Sequence, residues 1–183
     1  MRRLVRGLEP WAPLLLILCV LVAPSGCKRK KKRVALEPIV QSGALATMLD
    51  VADPRAQVQL TKGFYDVESN AWRWTADTFS ASLRPPRFAA EKGAKLVLKL
   101  AVPDVVIQKL KSIQLSAAVN GLNLTPEEYT KPGEYTYSRD VPATALAGEA
   151  VKVDFKLDKS LPPTASDGRV LGIIVSAIGF EAK

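Results

Sequence analysis

Two tryptophans flank an arginine in Trp72-Arg73-Trp74, and these side chains are well suited to binding chemistry. The flat π face of an indole suits the C–H face of a pyranose ring, so Trp72 and Trp74 are a candidate platform for a sugar. In a strand, their spacing places both rings on one face and Arg73 on the other, towards solvent, a ligand or an acidic partner. Because aromatic rings bury the largest areas in a core, we favour a core position for the two tryptophans.

A second candidate site lies near the C-terminus, in Ser166-Asp167-Gly168-Arg169. Asp167 and Arg169 can form a polar pair that binds sugar hydroxyls or the backbone of a partner. Asp and Gly are also typical of tight turns, in which the aspartate side chain accepts a hydrogen bond from nearby backbone. We therefore favour a salt-bridged or capping loop for this pair.

The composition offers few catalytic groups. The 183 residues include no histidine and only two cysteines, Cys19 and Cys27. This excludes Ser-His-Asp and Cys-His catalysis and histidine-ligated zinc. Glu127-Glu128 has no Asp-rich loop around it to complete a calcium site, and the preceding Thr125-Pro126 predicts a helical turn that starts at the threonine. We predict that the protein is not an enzyme and uses no metal or cofactor.

The first 27 residues have the layout of an export signal, with a basic segment, an apolar run and then small residues. The apolar run, residues 11–23, is short for the about 20 residues that cross a bilayer. Pro24-Ser25-Gly26-Cys27 resembles the lipobox of bacterial lipoprotein signal peptides. The resemblance implies attachment of diacylglycerol to the Cys27 thiol, cleavage before Cys27 and acylation of the new amino terminus.

The net charge of +8 lies entirely in residues 1–33, since residues 34–183 hold 17 basic and 17 acidic side chains. A neutral body without a basic stripe argues against nucleic acid as a partner. The run Lys28–Arg33 can bind anionic lipid, with about 1 kcal/mol per basic residue, or act as a solvated spacer. Because basic residues favour the cytoplasmic side of a membrane, an uncleaved signal-anchor helix is the alternative interpretation of the leader.

From Ala56 onward, apolar residues alternate in short runs separated by turn signals, which is typical of β-strands. Asn120-Gly121 predicts a hairpin because both residues tolerate positive φ. Residues 104–111 fit a short helix or a loop. The predicted strands lie at 57–60, 64–68, 72–75, 79–83, 95–102, 113–119, 122–124, 134–138, 151–157 and 170–180.

Eight to ten short strands and no long helix predict an all-β fold, a single antiparallel sandwich. We divide the chain into a signal peptide (1–26), a lipidated polybasic tether and flexible linker (27–47) and the β-sandwich domain (48–183). Within residues 44–51 the sequence suggests at most one helical turn.

Four segments together resemble a bacterial jelly-roll module, similar to galactose-binding and carbohydrate-binding sandwiches: 63–68, 72–75, 120–121 and 166–173. Such modules accompany glycosyltransferases and surface-polysaccharide proteins. The resemblance implies a jelly-roll-like sandwich and an extracytoplasmic accessory role in contact with carbohydrate.

These patterns predict a lipoprotein of the bacterial cell envelope, lipid-anchored to a membrane with its body outside the cytoplasm. Its sandwich is expected to be a non-catalytic binding module for surface carbohydrate. The alternative from a different functional class is a structural or assembly lipoprotein that binds an envelope protein.

Overall fold

The computed structural model of the protein describes residues 45–183. The predicted signal peptide, Cys27, the run Lys28–Arg33 and most of the linker lie outside the described residues. Within the described part, no helix is both long enough and apolar enough to span a bilayer.

Short strands dominate the described chain, and its helices are short. The helices are α1 (Ala89–Lys92) and α2 (Asp104–Leu110), with 3₁₀ turns at Pro54–Val58 and Ala143–Ala145. The strands are β1 (Met48–Asp50), β2 (Leu60–Glu68), β3 (Trp72–Leu83), β4 (Ala94–Val102), β5 (Ile113–Val119), β6 (Leu122–Asn123), β7 (Glu127–Tyr129), β8 (Gly133–Val141), β9 (Val151–Leu157) and β10 (Ile174–Ala182).

Strand β3 joins two halves of one sheet, in which the strand order is β6-β5-β9-β3-β10-β4-β8. Its first part, at Arg73 and Trp74, pairs with β10, and its second part, from Thr78 to Leu83, pairs with β9. At the sides, β2 pairs with β3, β1 with β10 and β7 with β5. All strand pairings among residues 45–183 are antiparallel, which confirms the predicted all-β antiparallel class.

Among residues 45–183, one buried hydrophobic cluster draws alternate residues from both halves of the sheet. Phe79 of β3 stacks on Phe155 of β9 with ring centroids 4.8 Å apart, and Phe64 of β2 meets Phe79 edge-on at 5.3 Å. A core shared by two sheet halves is the arrangement of a β-sandwich. Further inward residues of the central strands include Leu96, Leu98, Leu100, Ile113, Leu115, Val151, Val153 and Ile178.

The change of neighbour along β3 coincides with an irregular pairing between β2 and β3. Lys62 pairs with Ser80 but Phe64 pairs with Thr75, so a step of two residues on β2 faces a step of five on β3. Irregular pairing of this kind bends a strand and lets it pass from one sheet to another. Gly63 lies at this point with φ +73°, and a Cβ there would overlap the Thr78 carbonyl oxygen.

Two turn and helix predictions are confirmed. Asn120 and Gly121 form the hairpin turn between β5 and β6 with φ of +47° and +85°. Residues 104–110 form the short helix α2.

Several local predictions are wrong because tertiary pairing or capping overrides the local pattern. Residues 57–59 do not form the predicted strand, and Leu60 begins β2. The Asp53 carboxylate accepts a hydrogen bond from the Arg55 amide at 2.8 Å and caps the 3₁₀ turn Pro54–Val58. Within residues 44–51, β1 replaces the suggested helical turn because it pairs with β10.

In the C-terminal half of the chain, two further elements differ from the predictions. Residues 125–128 do not form the expected helical turn, because Glu127 and Glu128 begin β7, which pairs with β5. An ion pair of 2.8 Å between Glu127 and Arg139 holds this strand. The last strand begins at Ile174 and not at Val170, because Leu171 instead forms a bridge with Leu161.

Gly63→Ala is expected to destabilise the protein by about 3 kcal/mol or more, because the substitution adds both left-handed strain and overlap with backbone. Gly121→Ala is the matched control, since Gly121 also has positive φ but a Cβ there meets nothing within 4 Å. It should cost about 1 kcal/mol. Urea unfolding of the full chain measures both losses, and equal losses would contradict the close approach at Gly63.

Candidate functional site

Alternation along β3 separates Arg73 from the two tryptophans. Arg73 is 6% exposed and Thr75 is fully buried, whereas Trp72 and Trp74 on the opposite face are half-buried. Trp74 packs against the edge of the core cluster. The core position favoured for the two tryptophans is therefore corrected: neither ring is among the buried core residues, and of the two only Trp74 packs against the core cluster.

Arg73 is held by backbone oxygens from two other segments. Its Nε donates to the Val51 carbonyl at 2.7 Å, and its Nη1 donates to the Tyr65 carbonyl at 2.9 Å. The expectation that Arg73 faces solvent, a ligand or an acidic partner is corrected, since its observed partners are main-chain carbonyls. A guanidinium satisfies such carbonyls well because it offers several donors in a rigid plane.

A surface hollow of about 550 Å³ opens beside Trp72. The strand register explains its lining, because Ile174, Ala101 and Glu134 occupy one row across β10, β4 and β8. Trp74 of β3 lies at the end of this row, outside the lining. Exposed polar side chains border the hollow on the same strands, namely Lys99, Glu134, Thr136 and Ser176.

The two indoles meet edge to face, with centroids 6.4 Å apart and planes at 82°. This is a favoured geometry for aromatic pairs, and it contributes about 0.5–1.5 kcal/mol beyond burial. Because the rings are perpendicular, they form a corner and not a flat two-ring platform. An apolar ring face beside hydroxyl, ammonium and carboxylate groups is the arrangement that suits a ligand with one apolar and several polar edges.

Asp167 and Arg169 form the salt-bridged loop that we favoured. The Arg169 amide and Nε both donate to Asp167 Oδ1 at 3.0 Å, and Nη2 donates to Oδ2 at 2.9 Å. Its Nη1 donates to Glu68 Oε1 at 2.8 Å, and its guanidinium carbon lies 5.3 Å from the centre of the Tyr65 ring. We call Glu68, Asp167 and Arg169 the arginine clamp.

The arginine clamp connects the segment before β10 to the end of β2. The Tyr65 hydroxyl donates to the Val170 carbonyl at 2.8 Å and reinforces this connection. Hydrogen bonds from Arg169 hold the pKa of Asp167 below its usual value. Because each nitrogen of the guanidinium is already bonded within the clamp, the geometry favours a structural role for Arg169.

The clamp and the tryptophans meet at one end of the β2–β3 hairpin, since Glu68 pairs directly with Trp72. The structure thus brings the two sequence-predicted sites to the same strand ends. Glu68 and Tyr65 belong to segment 63–68, which is part of the jelly-roll resemblance. The sequence alone does not identify Lys99 and Thr136 as site residues. They reach the hollow only because β10 lies between β3 and β4, a placement that no local pattern encodes.

Comparison with known proteins adds distant structural similarity only. No family model and no curated protein match the sequence. Among solved structures, the chain is similar to an acetyl xylan esterase (Est2A) from the rumen bacterium Butyrivibrio proteoclasticus, at 10% identity and a TM-score of 0.41, over 76% of this chain and 32% of the esterase. The chain therefore spans about a third of the length of that enzyme.

Two carbohydrate-binding modules are also similar in structure. A CBM4 structure has 13% identity and a TM-score of 0.36 over 74% of this chain and 85% of its own. CBM36, in complex with calcium and xylotriose, has 16% identity and a TM-score of 0.33 over 58% of this chain and 74% of its own. At these TM-scores, the similarities assign neither a family nor a function to the chain.

Arg169→Gln is expected to lower the free energy of unfolding by about 1 kcal/mol, a modest loss because solvent screens the partly exposed ion pairs. Arg55→Gln is the matched control, because Arg55 binds the aspartate two residues before it in the same way. Within the described chain, the Arg55 side chain bonds to no residue of a strand. Its loss should change stability much less. Urea unfolding at pH 7 compares the two, and a larger effect at Arg55 would contradict the role of the clamp.

The pH dependence of the free energy of unfolding gives a second test of the stabilising role of Arg169. Because the folded-state pKa of Asp167 is lowered, its stabilising contribution is present above its unfolded pKa of about 3.9 and is lost as the pH falls through the folded value. In Arg169→Gln this pKa should return towards its usual value. The difference in stability between the parent and Arg169→Gln should therefore shrink below about pH 4.

Proposed function

We propose that the protein is an envelope lipoprotein whose β-sandwich binds carbohydrate, without catalysis, at the hollow beside Trp72. The partly exposed Trp72, with Trp74 edge-on against it, carries this proposal. It offers an indole surface at the edge of a hollow of about 550 Å³, within the range of small-molecule sites.

The polar groups around the corner match the chemistry of a sugar. A pyranose has apolar C–H faces and a rim of hydroxyls, so it needs ring contact together with both donors and acceptors. Lys99 supplies a donor, Glu134 an acceptor, and the Thr136 and Ser176 hydroxyls supply either. A hydrocarbon ligand would leave these groups without partners, which is costly when they are desolvated.

Rigidity of the site also supports binding. Trp72 lies on a strand that is paired on both sides, and Arg73 next to it is bound to two carbonyls. A preorganised site loses less conformational entropy when its ligand binds. Trp72, which lines the hollow, is therefore the proposed contact residue, and Trp74 supports its ring edge-on. Arg73, Asp167 and Arg169 hold the surrounding backbone.

Trp72→Ala is expected to weaken glycan binding about 5- to 30-fold, since stacking on an aromatic ring contributes on the order of 1–2 kcal/mol. A glycan array probed with the full chain in detergent measures this, with circular dichroism to confirm the fold. Phe88→Ala is the control, because Phe88 is also an exposed aromatic residue but lies outside the hollow. If no glycan binds and crosslinking recovers one specific envelope protein, the assembly function replaces this proposal.

Lipid attachment at Cys27 would keep the sandwich at the membrane surface. Three acyl chains hold a protein firmly because each buried CH₂ contributes about 0.8 kcal/mol. In cells supplied with a radiolabelled fatty acid, the protein should become labelled, and Cys27→Ser should abolish the label. Cys19→Ser is the control and should leave the label in place. A label that persists in Cys27→Ser refutes the site, and an unlabelled parent protein favours the uncleaved signal-anchor helix.

A further inference from the structure

A second surface hollow lies on the other half of the sandwich, where β3 pairs with β9 and no longer with β10. It has a volume of about 340 Å³ and lies over β9 and its neighbours β3 and β5. In one row of the sheet, Lys156 lies between Thr78 and Ser116; in the next, Asp154 lies between Ser80 and Ala118. The short side chains of Thr78, Ser80, Ser116 and Ala118 leave space above the sheet, and longer side chains border that space. We call this the lysine hollow.

Three lysines border the lysine hollow, and only one carboxylate accompanies them. Lys152 is paired with Asp154 Oδ1 at 2.9 Å. Within residues 45–183, Lys62 and Lys156 form no ion pair, so two ammonium groups remain available to an anion. Lys62 pairs with Ser80 across the β2–β3 ladder, which places it beside the centre of the hollow.

Asp154 also offers a free hydrogen-bond acceptor, which a site for a simple anion would not need. Its Oδ1 accepts from the Ser80 hydroxyl at 2.6 Å as well as from Lys152, whereas its Oδ2 has no partner among the described residues. Although burial raises its pKa, the bonds from Ser80 and Lys152 bring the net pKa below the usual value. A carboxylate that stays ionised with one free oxygen is an acceptor for a hydroxyl.

We propose that the lysine hollow is a second binding site, specific for an anionic saccharide such as a uronic acid. The ammonium groups of Lys62 and Lys156 bind the negative group of the sugar. The free Oδ2 of Asp154 accepts a hydrogen bond from a hydroxyl of the same sugar residue. The Thr78 and Ser116 hydroxyls lie around that sugar residue. A simple anion cannot donate a hydrogen bond to Asp154, and a neutral sugar would leave both ammonium groups unpaired.

The test is a titration of the full chain in detergent micelles with trigalacturonate, followed by backbone amide NMR shifts. Shifts at Ser116, Asp154 and Lys156 localise binding to the hollow and separate it from contacts at the run Lys28–Arg33. Neutral trigalactose should bind there at least about tenfold more weakly. Because the lysine hollow and the tryptophan corner share no lining residue, this result is independent of the proposed function.

Two variants decide the assignment. Lys62→Gln/Lys156→Gln should weaken trigalacturonate binding at least about tenfold, whereas Lys95→Gln/Lys109→Gln removes the same charge from exposed positions elsewhere and should change it little. Asp154→Asn should weaken trigalacturonate binding but leave binding of inorganic sulfate equal or stronger. Absence of shifts in the hollow, equal losses in the two double variants, or sulfate binding as tight as trigalacturonate binding would each overturn the proposal.

Discussion

The buried guanidinium of Arg73 is the interaction on which the candidate site depends. It connects three segments, since it lies on β3 and donates to the carbonyls of Val51 and Tyr65. Removing it would leave two carbonyl oxygens without these partners, at about 1–3 kcal/mol for each that stays buried. Because successive side chains of a strand point to opposite faces, fixing Arg73 inward also fixes Trp72 and Trp74 outward.

A second constraint is the length of β3, which belongs to both halves of the sheet. Its first part carries the tryptophan corner beside β10, and its second part borders the lysine hollow beside β9. The two outer surfaces are therefore built on one continuous backbone. The close approach of β2 to β3 at Gly63 and the core stack of Phe79 on Phe155 hold that backbone where it changes neighbours.

The sequence predicted the strands well where alternation was strict, as in β4, β5 and β9, and where a turn had a clear signal, as at Asn120-Gly121. The sequence-based prediction failed where a residue of a usually exposed type is buried. In a sequence with an arginine between two tryptophans, the arginine is the one expected to be exposed. The carbonyls that bind the buried Arg73 come from segments 8 and 22 residues away. The two hollows combine distant strands, so only the strand order reveals Lys99 beside Trp72 or Lys62 beside Asp154.

The orientation of these three side chains can be measured directly with a soluble paramagnetic agent that broadens the NMR signals of exposed N–H groups. If β3 is oriented as described, the indole Nε1–H signals of Trp72 and Trp74 will broaden as the agent is added, and the Nε–H signal of Arg73 will stay sharp and exchange slowly with solvent. A broadened Arg73 signal beside two protected indole signals would contradict the account, because the tryptophans would then lie in the core.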